Sequence, residues 1–88
     1  MKNKNLSSSI QILLNQFNAR NYDEVIDRGN ILIKKNPEYV ILYNIVGSAY
    51  QNKGEFIKAK NNFKLGLKLD PNNLALMNNL AMSHKNLL

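Results

Sequence analysis

Without a single cysteine, the chain can form no disulfide, no thiolate metal site and no cysteine nucleophile. That absence does not fix the compartment. There is no tryptophan either, and only one histidine, His84. No Gly-rich loop follows a strand-like run and no metal-ligand spacing occurs, so neither cofactor nor metal is expected. No stretch approaches the roughly 18–20 apolar residues of a membrane helix. The apolar run after the basic start is Ile10–Leu14, interrupted by Gln11 and stopped by Asn15. It is too short and polar for a signal peptide, and no small-residue cleavage site follows. The expectation is a soluble, cytoplasmic protein with no membrane contact. Acidic side chains are scarce: Asp and Glu number 6 against 12 Lys and Arg, giving a net charge of +6. Such an excess attracts polyanions at low salt. Lys, Asn and Ile are abundant together, however, and AT-rich coding DNA gives that composition without selection for binding.

What the chain does have is helical periodicity. At 88 residues and 44% hydrophobic content it is one small domain with enough apolar surface for a core and little margin. The organising stretch lies between Pro37 and Pro71, 34 residues apart. Two amphipathic segments fill it, joined at Asn52–Glu55. The first predicts a helix from about Glu38 to Lys53, with Tyr39, Leu42, Tyr43, Val46 and Tyr50 inward and Gly47 in the same stripe. The second predicts a helix over about 56–69, with Ala59, Phe63, Gly66 and Leu67 buried and Lys60, Lys64 and Lys68 outward. Gly54 suits the left-handed position between them.

The flanking segments copy this unit imperfectly. Leu6–Ser9 offers an N-cap for a first helix carrying Ile10, Leu13, Leu14 and Phe17, with Met1–Asn5 frayed before it. Asn18 or Asn21 would take the left-handed position at its end. A second helix begins at Tyr22–Glu24 and stops at Asn36–Pro37, with Val25, Ile26, Ile31, Leu32 and Ile33 as its apolar positions. Gly29 lies mid-helix, where a large neighbour such as Tyr43 needs the space. Asn72 or Asn73 caps a fifth helix with Leu74, Met77, Leu80, Ala81, His84 and Leu88 on one face. Offsets of 34 relate Asn36–Pro37 to Asp70–Pro71, Tyr22–Ile26 to Phe56–Lys60, and Tyr43–Gly47 to Met77–Ala81.

The set Tyr43, Val46–Gly47, Tyr50, Gly54, Ala59, Phe63, Gly66 and Pro71 resembles the tetratricopeptide repeat (TPR), and the resemblance covers nearly the whole chain. The first repeat departs from it, with Leu13, Gln16 and Gly29 where a small, an aromatic and a bulky residue are usual. The resemblance implies an all-α fold: antiparallel helix-turn-helix repeats stacked as a short right-handed superhelix of five helices. Repeat one would span about 6–39, repeat two about 40–73, and a lone helix about 74–88.

It also implies a protein-interaction scaffold with a concave groove lined by the first helix of each repeat. The groove residues would be Ile10, Leu14, Ile41, Asn44, Ile45, Ser48, Asn78 and Met82. Asn44 and Asn78, one repeat apart, can donate to and accept from the backbone of an extended peptide. The subclass that grips chaperone C-termini needs basic residues where this chain has Ile10, Leu14, Ile45, Ala75 and Asn79, so that partner is not expected. The partner would be another protein or peptide, neutral or apolar in its docking segment. Leu76, Leu80 and Leu87 would form an exposed strip on the last helix, through which a second copy could pair. A further alternative is an accessory repeat segment of a larger bacterial transferase.

Catalysis has little support. His84 occupies a packing slot, and Asp23, Glu24 and Asp27 suit the dipole at a helix start. Nucleic acid is disfavoured as a partner, because the lysine stripe carries little Arg and no interleaved aromatics.

Overall fold

The computed structural model describes residues 2–87 and folds them into α1 (Lys2–Asn18), α2 (Tyr22–Lys35), α3 (Val40–Asn52), α4 (Phe56–Leu69) and α5 (Leu74–Leu87). The described residues contain no strand. Each helix joins the next through three or four residues and packs against it, so neighbours run antiparallel. Beyond these sequential pairs, α1 meets α3 and α3 meets α5, while α2 and α4 do not approach each other. Two layers result, α1/α3/α5 and α2/α4, with α3 at the centre.

The helices end where their backbones demand it. Asn36 and Asp70, each before a proline, leave the helical conformation after α2 and α4 and still donate back to Leu32 and Gly66. The first and third helices close alike. Asn21 N–H reaches Gln16 O at 2.9 Å and Glu55 N–H reaches Tyr50 O at 2.9 Å, each spanning a residue with positive φ. That residue is Gly54 (φ 80) after α3 and Arg20 (φ 65) after α1, so Arg20, and not Asn18 or Asn21, is left-handed. Asn73 settles the α5 cap: its Oδ1 accepts from Leu76 N–H at 3.0 Å while its Nδ2 donates to Asp70 at 3.1 Å.

Two starts differ from the sequence expectation. α1 begins at Lys2, ahead of the serines. Leu6, 6% exposed, continues the stripe of Ile10, Leu13 and Phe17 one turn back, so packing carries the helix past the serine cap. α3 begins at Val40, because Pro37 and Glu38 lie in the turn that Tyr43 Oη ties down by donating to Pro37 O at 2.7 Å.

One core cluster joins Leu13, Val25, Ile26, Leu42, Ile45 and Ala49; a second joins Ala59, Phe63 and Leu76. Burying each large member contributes about 1.5–3 kcal/mol. The two hairpins solve their close crossing in opposite ways. A Cβ added to Gly47 would lie 2.5 Å from the Phe63 ring, so a bare backbone on α3 meets a large side chain on α4. One repeat earlier the sizes are exchanged. Leu13 is the large partner on α1, and Gly29 on α2 is bare because Val46 presses on it. The neighbour that needs the space is Val46 rather than Tyr43. Of the apolar positions of α2, Ile31 is 55% exposed, since Val25, Gly29 and Leu32 turn the other side of the helix to the core.

The fifth helix shows the largest correction. Leu76 and Ser83 are fully buried, whereas Leu74, Met77, Ala81 and His84 face outward. Leu76 and Ser83 fall 34 residues after Leu42 and Ala49, which are also fully buried. The first helix of each hairpin thus packs one face on the preceding hairpin and turns another to its own second helix. α5 has filled the first of these faces, and the second lies open. Leu88, expected on the same face as Leu74 and Met77, lies outside the described residues.

Candidate functional site

Helices on the inside of a curved stack sit closer than those outside it. Since α1, α3 and α5 touch while α2 and α4 stand apart, the α1/α3/α5 layer is the concave side. A shallow pocket of about 160 Å³ opens there, lined by Leu14, Phe17, Asn44, Ile45 and Ser48. Four residues expected from the repeat register therefore converge: Leu14, Asn44, Ile45 and Ser48. Phe17 joins them, held edge-on to Tyr22 with ring centroids 5.4 Å apart. Its position three residues after Leu14, on the same helix face, was the available signal.

The other expected residues do not join this pocket. Ile10 packs against the core beside Leu13. Ile41, Asn78 and Met82 are exposed and line no common concavity with it. Asn44 is engaged by the residue after Asn78. Its Oδ1 accepts from Asn79 Nδ2 at 2.7 Å, across the contact between α3 and α5. On the same seam Ser83 Oγ donates to Gln51 Oε1 at 2.5 Å, and Gln51 Nε2 donates to Met82 Sδ at 3.4 Å. The concave face is therefore apolar between α1 and α3 and polar between α3 and α5.

Charge collects elsewhere. Lys53 pairs with Asp23 at the start of α2 and lies 3.5 Å from Glu55 at the start of α4. The hydrogen bond to Asp23 chiefly raises the Lys53 pKa above the ordinary lysine value, against the opposing pull of desolvation. The described residues contain no group of three or more His, Asp or Glu able to hold a metal ion, and no helix long and apolar enough to cross a membrane.

The open side of α5 forms a second concavity, with α4 as its other wall. It is a groove of about 710 Å³ lined by Lys60, Lys64, Leu67, Pro71, Met77, Leu80, Ala81 and His84. The leucine strip expected for self-association is broken up by this arrangement. Leu76 is consumed by the core, Leu80 lines the groove, and Leu87 lies apart beside Gly54–Lys58.

No family model matches the sequence, and no curated protein matches it. Among solved structures 17 chains match. One of them, MamA AMB-1, superposes with a TM-score of 0.86 at 24% identity, covering 94% of this chain. This chain spans about half of that one, 49% of its length. At that identity the likeness speaks for the fold: the five helices form a TPR-like helical repeat.

Proposed function

We propose that the chain is a protein-interaction module that holds a peptide or helical segment of another protein on its concave face. The observation that carries this is the pocket of Leu14, Phe17, Asn44, Ile45 and Ser48, an apolar floor with Ser48 beside it and Asn44 held in place by the α3–α5 seam. Such a floor takes one aliphatic or small aromatic side chain, and Asn44 and Ser48 address the backbone next to it. The reading involves no covalent step, in keeping with a fold that serves elsewhere as a non-enzymatic scaffold. Repeat boundaries near 39 and 73 and a cytoplasmic setting belong to the same reading.

Panning a random peptide library against the chain tests it. Enriched peptides should share an apolar anchor. Ser48→Arg, at a half-buried position on the rim, should abolish their binding with helicity intact, and Ile31→Lys, on the other layer, should leave it unchanged. Failure to enrich, or binding that survives Ser48→Arg, would sink the proposal. Self-association is a second reading, resting on the exposed Leu87. A molecular mass that stays monomeric across a concentration series would dismiss it.

A further inference from the structure

The open groove between α4 and α5 has the form of a helix seat. On α3, the face made by Tyr43, Gly47 and Tyr50 receives α4. One repeat on, Met77, Ala81 and His84 make the same face, with Leu80 at its edge toward α4, and nothing in the described chain covers it. Its floor is apolar through Leu67, Leu80 and Met77. Its α4 wall carries Lys60 and Lys64 and no acidic residue. The ion pairs of the described residues all involve Lys53 and Lys58, on another part of the surface.

We infer that this seat takes an amphipathic helix from a partner protein, with acidic residues along the edge that faces Lys60 and Lys64. Charge selects this occupant over a second copy. Two copies joined symmetrically through α5 would bring the Lys60 and Lys64 of both into one contact, and like charges brought together oppose association. Size adds a second criterion. Gly47 leaves room for the Phe63 ring, but Ala81 carries the methyl group that Gly47 lacks. The docked helix should therefore present a leucine-sized side chain there, not an aromatic ring.

The probe is a synthetic peptide patterned on residues 55–70 with Phe63→Leu, stapled on its outer face so that it is helical before binding. One version carries lysine, and the other glutamate, along the edge that faces Lys60 and Lys64 of the α4 wall. Fluorescence anisotropy against the full chain should show the glutamate version binding about tenfold more tightly at about 50 mM salt, with the two versions converging near about 500 mM. Ala81→Arg, at an exposed position that leaves folding intact, should abolish binding of both. The double change Lys60→Glu and Lys64→Glu should reverse the preference. Equal affinities at low salt, binding unaffected by Ala81→Arg, or no binding of either helical peptide would overturn the inference. So would a chain that dimerises through this face, or an oligonucleotide that displaces the acidic peptide. The concave pocket is untouched by these variants, so this outcome and that of the peptide panning are independent.

Discussion

Arg20 and Gly54 hold equivalent positions, 34 residues apart, and both sit in the left-handed region. Only glycine does so without a steric cost, which for other residues is roughly 1–2 kcal/mol. Space is no obstacle at Gly54, since a Cβ there would meet nothing within 4 Å. Gly54→Ala should therefore destabilise the chain by about 1 kcal/mol through backbone strain alone. Arg20→Gly should stabilise it by about 0.5–1 kcal/mol, the relief being partly offset by the freedom that glycine adds to the unfolded chain. Urea unfolding of both variants checks this, and a Gly54→Ala chain as stable as the parent would contradict the strain account. The repeat offset from Gly54 lands on Arg20, whereas residue preference for the left-handed region favours Asn18 or Asn21. What decides is where the hydrogen bonds of Asn21 and Glu55 close, and no residue preference shows that.

Among the helices, α5 shows why element existence is legible when element rotation is not. Its apolar residues, Leu74, Leu76, Met77, Leu80, Met82 and Leu87, go almost all the way round, so periodicity alone selects no face. The information lies in the previous repeat, where Leu42 and Ala49 face back toward the first hairpin. The same register puts Leu14, Asn44, Ile45 and Ser48 around one pocket, because those positions depend on which layer a helix joins. Partners such as Asn79 for Asn44 depend on the spacing of two helices and are not written in either one. The rotation has a measurable consequence. Leu76→Ala should cost about 2–4 kcal/mol, the usual range for a fully buried leucine. Met77→Lys, one residue along and 47% exposed, should stay within about 0.5 kcal/mol. The reverse order in thermal or urea unfolding would mean that α5 packs in solution by its other face.

At the scale of the molecule, stability should follow position in the stack. α3 touches all four other helices, while α1 and α5 each meet only two. Stacked repeats gain most of their stability from neighbour interfaces, so an end helix can detach at less cost than a central one. The polar seam deepens the contrast. α5 is held to α3 by Asn44–Asn79 and Gln51–Ser83, and hydrogen bonds of this kind contribute only about 0.5–1.5 kcal/mol each beside the apolar anchor of Leu76. Native-state hydrogen exchange should thus find the amides of Val46 and Ala49 opening only with global unfolding. Those in the last turn of α5 should exchange through a local opening at much lower free energy. The acidic helical peptide, bound across α4 and α5, should slow exchange in α5 selectively, because it supplies the contact with a following helix that α1 and α3 already have. Equal protection of α3 and α5 in the free chain would refute this ordering.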